Sequence, residues 1–276
     1  MSPRVGSLHV YPIKSLGGFT VNEARITDRG FEHDRRWMLV DPEGRFISQR
    51  EVAQLACLHC SALPNGFRVT DVRDGDHIDL PWELIDGPLA TCQIWDDTVE
   101  VGHAPMEVSA WFAEKIGSAC SLTFMPDAAQ RPVDARYATG ITSLSDGFPY
   151  LIVSQASLDD LNKRGASWAH EHMGTWATIP MERFRPNIVI DGCDAFQEDL
   201  WKEIAIGACR FNVVKPCGRC PITTTDQRTG ERSKEPLRML ATYRRRKGTD
   251  EVKVDFGMNA MAFGRGVLRV GDLVTE

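Results

Sequence analysis

Apolar and polar residues alternate in short runs along the first third of the chain, a pattern typical of β strands. Val5–Ile13 is strand-like, and Trp37–Val40 and Arg45–Ser48 flank the sequence Asp-Pro-Glu-Gly at 41–44. Pro at the second place and Gly at the fourth suit a type I turn, which predicts a hairpin. Further short β runs follow through Glu100.

The period of the pattern changes over residues 105–116, whose apolar residues share one helical face: Val108, Trp111, Phe112 and Ile116. Gly117 then provides a C-cap, so the pattern predicts a helix. Residues 125–145 have little apolar periodicity and are predicted to form a long connection. We therefore place a domain boundary at its start and predict domains over 1–124 and 125–276.

The second part mixes strands with a few helices. Tyr150–Val153 predicts a strand, and a helix follows in which Ser157 and Asp160 have the spacing of a capping box. Pro236 suits the first turn of a helix that reaches Tyr243. Four more strands are predicted: Asn187–Ile190, Ala205–Val214, Val252–Asp255 and Gly266–Val270. The expected fold is mostly β with some helices (α+β), rather than a regular βαβ array.

Composition narrows the classes of function. The chain has 276 residues, is 42% hydrophobic and carries a net charge of −6, with a pI near 5.7. This acidic balance argues against a nucleic-acid partner, because phosphate neutralisation needs surplus Lys and Arg. No apolar run reaches membrane-spanning length, and the N-terminal segment lacks the apolar stretch of a signal peptide. We expect a cytoplasmic protein with no membrane partner.

Eight cysteines are too few for a disulfide scaffold in a chain of this length, so they are candidates for core packing, metal binding or redox chemistry. The sharpest motif is Cys217-Gly-Arg-Cys220, followed by Pro221, because it presents two thiols on a turn beside Arg219. A positive charge favours the thiolate, which is a nucleophile and a soft-metal ligand. The alternative is a turn that only packs on the core.

A second pair, Cys57 and Cys60, makes a four-cysteine zinc site arithmetically possible. The two pairs lie far apart in the sequence, and the first sits in an apolar run, so zinc is the weaker hypothesis. A thioredoxin-like dithiol is also a weak hypothesis, because the residues after Cys220 are a poor start for a helix.

Several cations recur beside turns or β edges, namely Lys14, Arg35, Arg50 and Arg185. Guanidinium groups match phosphate oxygens well, so these residues are candidates for an anion clamp. Taken singly, each of these cations is better explained as a partner in a surface salt bridge. Sequence spacing does not show that they converge.

The whole chain resembles the MOSC-domain proteins with an N-terminal β-barrel domain, a family that includes bacterial N-hydroxylated-base reductases and mitochondrial amidoxime-reducing components. The matching stretches are YPIKS (11–15), DRRWMLVD (34–41), SDGFPYLIVSQASLDDLN (145–162), ERFRPNIVIDGCDAFQED (182–199), WKEIAIG (201–207), KPCGRCPITTTDQRTGE (215–231), EPL (235–237), DFGMN (255–259) and VGDLV (270–274).

The resemblance implies an N-terminal β-barrel-like domain, a C-terminal MOSC β-barrel domain and a molybdenum-pyranopterin (molybdopterin) cofactor. The cofactor's dithiolene brings two sulfurs, so the protein supplies one thiolate, which the family motif places at Cys220. The residues implied to bind the cofactor are Lys14, Ser15, Arg35, Ser145, Asp146, Arg185, Asn187, Arg219 and Asn259.

Two further positions follow from the family match. Asp194 corresponds to a position near the metal and is a hypothetical proton donor, because reduction of an N–OH bond consumes protons. A turn aspartate after a strand is the alternative. Met258 stands where the family commonly has Gln, so a hydrogen-bonding side chain is lost there.

The implied activity is two-electron reduction of N-hydroxylated compounds such as hydroxylamines, amidoximes and N-hydroxylated bases. The chain lacks the C-x4-C-x2-C spacing of a plant-type ferredoxin domain, so we expect a separate electron donor of ferredoxin, flavodoxin or cytochrome type, fed by an NAD(P)H reductase. The alternatives are a carrier of sulfur or molybdenum cofactor without turnover, and a zinc-stabilised protein with no redox role.

Overall fold

A computed structural model describes residues 2–84, 86–246 and 253–276. Strands make up 40% of the structure and helices 19%, which confirms the predicted class, mostly β with some helices. None of the helices in these segments has the length and apolar character needed to cross a membrane.

The elements before residue 125 are, in chain order, β1 (Arg4–Val10), β2 (Phe19–Val21), β3 (Glu23–Thr27), β4 (Gly30–Phe31), β5 (Trp37–Val40), a 3-10 helix (Ala53–Cys57), β6 (Leu58–Leu63), β7 (Gly66–Asp71), β8 (His77–Pro81), β9 (Leu89–Ile94), β10 (Asp97–His103), α1 (Met106–Ile116) and β11 (Ser121–Phe124).

The later elements are β12 (Arg131–Pro132), β13 (Ile141–Thr142), β14 (Tyr150–Ser154), α2 (Gln155–Glu171), a 3-10 helix (Met181–Arg183), β15 (Ile188–Asp191), a 3-10 helix (Gln197–Leu200), β16 (Glu203–Ile206), β17 (Cys209–Gly218), a 3-10 helix (Pro221–Thr224), α3 (Leu237–Tyr243), β18 (Asp255–Phe263), β19 (Gly266–Arg269) and β20 (Val274–Thr275).

The largest sheet has eight strands in the order β2-β1-β15-β14-β18-β17-β16-β20. Its parallel pair, β14 and β15, is connected through α2, whereas β1 pairs antiparallel with β15 and places Leu8 opposite Ile188. The first strands of the chain thus complete the sheet of its second half. The domain boundary between residues 124 and 125 stays a prediction.

β3 and β4 form a small sheet with β19. The other strands of the first half form two smaller sheets, β5-β11-β10-β9 and β6-β7-β8, which share an apolar core with α1. Trp37 and Phe112 are fully buried in this core. The predicted helix end is confirmed: Gly117 has φ 71° and its N–H donates to the Ala113 carbonyl. Glycine adopts this left-handed backbone without the steric cost of a Cβ.

Three local predictions differ from the structure. The segment 45–48 turns back after Gly44, whose N–H donates to the Asp41 carbonyl at 3.0 Å, but it forms a single antiparallel bridge with β5, between Val40 and Phe46, and is not a strand of its own. The N-cap of α2 is Ser154, whose hydroxyl accepts from the Ser157 N–H at 3.1 Å, so the cap lies three residues before the predicted one. The predicted strand 205–214 is divided into β16 and β17. Part of the predicted strand 252–255 lies outside the described residues.

Helix α2 yields a stability prediction because Gly165 faces the Trp176 ring, which a Cβ at 165 would overlap. Asn162 fixes that ring by accepting from Trp176 Nε1 at 3.1 Å. Gly165→Ala should therefore lower the free energy of unfolding by about 1–3 kcal/mol, as overpacking does, although Ala is the better helix former. Urea denaturation measures this change.

Trp176→Ala supplies the matched background for that test. Once the ring is gone, Gly165→Ala should be stabilising by up to about 1 kcal/mol, because only helix propensity remains. Equal destabilisation in both backgrounds would contradict this account of the packing.

Candidate functional site

One cavity brings together segments that are far apart in the sequence. It lies where the ends of β1, β15 and β17 meet the loop before β14. Every residue predicted to bind the cofactor lines it, together with the predicted metal ligand: Lys14, Ser15, Arg35, Ser145, Asp146, Arg185, Asn187, Arg219, Cys220 and Asn259. The convergence that sequence spacing could not show is thus present in the fold.

Arg35 is the best-fixed cation of the cavity, and it is 8% exposed. Its Nη1 donates to Asp34 Oδ2 at 2.6 Å and to Asn187 Oδ1 at 3.0 Å. Asn187 is 1% exposed and also receives the Leu151 N–H, so its amide is locked in place. Asn187 therefore positions Arg35.

Arg185 lies beside Arg35 on the same aromatic ring. Both guanidinium carbons are 4.4 Å from the centroid of the Tyr11 ring, and Arg185 Nη1 donates to the Leu16 carbonyl. Burial, helped by the nearby charge of Arg35, lowers the pKa of Arg185 to about 10. The fold thus holds two like charges close together, which costs free energy unless an anion offsets it.

Lys14 is the third buried cation, 5% exposed. Burial lowers the pKa of its ammonium group to about 8, although the Asp146 carboxylate 2.5 Å away favours the charged form. Asp146 is itself 59% exposed, so solvent weakens its attraction. Lys14 is consequently protonated at neutral pH but begins to lose its charge in mildly alkaline solution.

The backbone of the cavity is strained at three of these residues. Ser15, Arg35 and Arg185 have φ values of 71°, 49° and 56°, in the left-handed region that side chains with a Cβ rarely adopt. Such residues cluster at functional sites, because the surrounding structure must hold them there. Sequence analysis gave no sign of this feature.

Arg131 holds the loop that carries Ser145 and Asp146. Its guanidinium is buried and donates to the carbonyls of Ser143 at 3.3 Å and Ser145 at 2.5 Å, while its Nε pairs with Asp97. Sequence analysis missed Arg131 because it lies in the segment predicted to be a plain connection. Arg131 is not among the described residues that line the cavity, and it orders this loop through these hydrogen bonds.

The two cysteines of the motif occupy different settings. Cys217 lies near the end of β17, and Cys220 caps the 3-10 helix that follows. Arg219 Nη1 donates to Cys217 Sγ at 2.9 Å and Nη2 to the Phe184 carbonyl at 2.6 Å. The predicted cation beside the thiols is therefore present, but it contacts the cysteine that is not the proposed ligand.

Asp194 is not brought to the cavity. It is exposed and follows the far end of β15, whereas Asn187, at the start of that strand, lines the cavity. Asp194 is not among the described residues that line the cavity, and its role as a proton donor stays a prediction. Met258 is buried within β18 and is not among the described residues that line the cavity.

The zinc alternative finds no assembled site. In segments 2–84, 86–246 and 253–276, no three His, Cys, Asp or Glu side chains are grouped as a metal site would require. Cys57 and Cys60 are buried core residues. Burial raises the pKa of the Cys60 thiol to about 12, which disfavours the thiolate needed for metal binding.

Several lining residues were not among those that the family resemblance implied: Ser48, Arg50, Phe148, Leu151, Phe184 and Ile222. Arg50 was already a candidate for the anion clamp, since it is one of the cations beside turns. The apolar residues had none, because each also fits an ordinary core position.

The comparisons with known proteins agree with this arrangement. Residues 2–119 match the MOSC N-terminal beta barrel domain, and residues 139–275 match the MOSC domain. The chain is 31% identical over 289 residues to mitochondrial amidoxime reducing component 2 of Rattus norvegicus, covering 98% of this chain and 82% of that protein. It is 29% identical over 287 residues to mitochondrial amidoxime-reducing component 1 of Mus musculus, covering 98% and 81%.

Another relative is the molybdenum cofactor sulfurase of Homo sapiens, 28% identical over 270 residues, which cover 93% of this chain but 30% of that protein. The matched domains and the near full-length similarity to the amidoxime-reducing components show that the chain belongs to the family of MOSC-domain proteins with an N-terminal MOSC β-barrel domain.

Proposed function

We propose that this protein is a molybdenum-cofactor-dependent reductase of N-hydroxylated compounds that receives electrons from a separate redox partner. The observation that carries the proposal is the cavity itself, where a half-buried cysteine of the family motif, Cys220, faces the same space as a set of buried cations. The amidoxime-reducing components in the same family supply the substrate class.

The charge of the cavity suits an anionic cofactor. Five cations line it (Lys14, Arg35, Arg50, Arg185 and Arg219) against a single carboxylate, Asp146. Within the described part of the chain, the buried Nε of Arg219 has no hydrogen-bond partner. A buried donor without an acceptor is costly, so a bound ligand oxygen would satisfy it. The cofactor's phosphate and pterin provide such acceptors.

The thiol chemistry also fits. Because a dithiolene supplies two sulfurs to the metal, a single protein thiolate completes the sulfur set, and Cys220 would be that ligand. When bound, the cofactor supplies a molybdenum centre for two-electron chemistry. Arg35, Arg185 and Lys14 would hold its anionic end, and Ser145 and Asp146, ordered by Arg131, would contact the pterin.

The reaction sets the demand for electrons and protons. Reducing an N–OH group breaks the N–O bond and releases water and the amine or amidine, which consumes two electrons and two protons. The molybdenum centre is the one redox group that we propose for this chain. The electrons would therefore come from a separate donor of ferredoxin, flavodoxin or cytochrome type.

The test uses the chain produced with an intact molybdenum-cofactor pathway. The wild type should contain near-stoichiometric molybdenum and released pterin, and it should convert benzamidoxime to benzamidine with a chemically reduced viologen as donor. Cys220→Ala should lose most of the metal and the turnover, because the only protein sulfur on the metal is removed. Cys217→Ala is the matched control and should retain molybdenum.

Other outcomes separate the alternatives. Molybdenum without turnover of any N-hydroxy substrate would favour the alternative of a carrier of sulfur or molybdenum cofactor. Turnover by the isolated chain with NADPH alone would contradict the need for a separate donor. Equal metal loss from Cys217→Ala and Cys220→Ala would contradict the assignment of Cys220.

The pKa of Lys14 gives a pH prediction for the cofactor-free protein. Sulfate stays fully ionised between pH 7 and 9, so any change in its affinity reflects the protein. Because Lys14 is protonated below about pH 8 and neutral above it, sulfate affinity should fall about tenfold from pH 7 to pH 9. Arg185, with a pKa of about 10, keeps its charge over this range.

Isothermal titration calorimetry measures the effect. Lys14→Gln should bind sulfate more weakly at pH 7 and show a nearly flat profile. An unchanged slope in Lys14→Gln would assign the pH dependence to another group.

A further inference from the structure

Arg50 stands apart from the cations that the family motif places at the cofactor. Its guanidinium carbon lies 4.2 Å from the centroid of the Trp95 ring, and it lines the cavity. Among the residues that the structure describes, its buried Nε has no hydrogen-bond partner. The charge is therefore held in place by stacking, with one donor left for a ligand.

The backbone of Arg50 is tied to the loop that follows Cys220. Arg232 donates from Nη2 to the carbonyls of Arg50 at 2.7 Å and Gln49 at 2.8 Å. Gln49 in turn donates to the Ser15 carbonyl at 2.9 Å. Arg50 is thus fixed relative to both the thiol side and the Lys14 side of the cavity.

Trp95 occupies an unusual position for a tryptophan. It is the first of two residues joining β9 to β10, and its φ is 54°, where hairpins favour glycine or asparagine. This conformation is strained for a residue with a Cβ. Phe46 packs edge-on against the ring at 4.6 Å, and Gln93 donates to the Trp95 carbonyl. The strain indicates that the Trp95 ring has a role other than closing the hairpin.

A surface groove adjoins the cavity at this point. It shares Ser48 and Arg50 with the cavity and is otherwise lined by Asp41, Arg45, Phe46, Glu51, Gln93 and Trp95. Arg50 therefore lies between the groove and the cavity, where a ligand that enters along the groove would pass.

We propose that Arg50 is an oxyanion-binding residue at the entrance of the cavity and that Trp95 is its positioning residue. The ligand group is a phosphate or carboxylate. It belongs either to the cofactor's terminal phosphate or to an acidic substituent of the N-hydroxylated substrate. The identity of those sources rests on the proposed function, whereas the anion site itself does not.

Sulfate binding to the cofactor-free chain at pH 7 tests the site directly. Arg50→Gln should weaken sulfate binding about tenfold, as loss of a charge-assisted hydrogen bond does. Arg45→Gln is the matched control, because Arg45 is an exposed cation of the same groove, and its affinity should equal that of the wild type. Equal affinity of Arg50→Gln and wild type would overturn the proposal.

The role of Trp95 is tested by Trp95→Gly and Trp95→Phe. Glycine suits the φ of this turn, so Trp95→Gly should keep the unfolding transition of the wild type while losing sulfate affinity as Arg50→Gln does. Trp95→Phe should restore part of it, because an aromatic face remains. Wild-type sulfate affinity in Trp95→Gly would refute the positioning role.

The holoprotein distinguishes the two sources of the anion. Loss of molybdenum and pterin from Arg50→Gln would assign the cofactor's phosphate. Retained cofactor with a KM raised about tenfold for a carboxylate-bearing amidoxime, but not for neutral benzamidoxime, would assign the substrate. If the holoprotein showed neither of these effects, the functional role of Arg50 would be overturned. A wild type that binds sulfate through Arg50 but never binds molybdenum would contradict the proposed function, whereas the anion site would still be supported.

Discussion

The pairing of the buried Arg35 guanidinium with Asp34 and Asn187 is the constraint on which the site depends. Asp34 and Asn187 are each 1% exposed, so removing Asp34 would leave the buried guanidinium without its counter-charge, and removing Asn187 would take away one of its acceptors. The pair connects the first part of the chain to β15. Arg35 also donates to the Arg185 carbonyl at 3.1 Å, so it fixes the backbone of its cationic neighbour. One buried group thereby joins the large sheet to the cavity.

The charge balance of the cavity follows from that arrangement. Arg35 and Arg185 share the Tyr11 ring, Lys14 lies beside Asp146, and the depressed pKa values of Lys14 and Arg185 reflect burial that disfavours their charges. An anionic ligand would relieve this penalty, so groups that cost stability on their own would favour the binding of an anion such as the proposed cofactor. Preorganisation of this kind is typical of binding sites, where strain is retained because function requires it.

Sequence patterns predicted the local elements better than the site. The helix ending at Gly117 and the mostly β class follow from periodicity, because they depend on neighbouring residues. The cavity depends on pairings such as Leu8 with Ile188, which no single-sequence pattern shows. The family resemblance supplied the residues that converge there, whereas Asp194 follows the far end of β15 and is not among the described lining residues. Trp95 was missed, since an aromatic residue near a hairpin has no functional signature of its own.

The proposed bond between the Cys220 sulfur and molybdenum can be measured without reference to activity. Cys220 is replaced by selenocysteine, and the X-ray absorption fine structure is recorded at the molybdenum edge, with selenocysteine at 217 as the comparison. We expect a selenium neighbour of molybdenum for the substitution at 220 and none for that at 217. A selenium neighbour from position 217, or from neither position in a molybdenum-loaded protein, would contradict it.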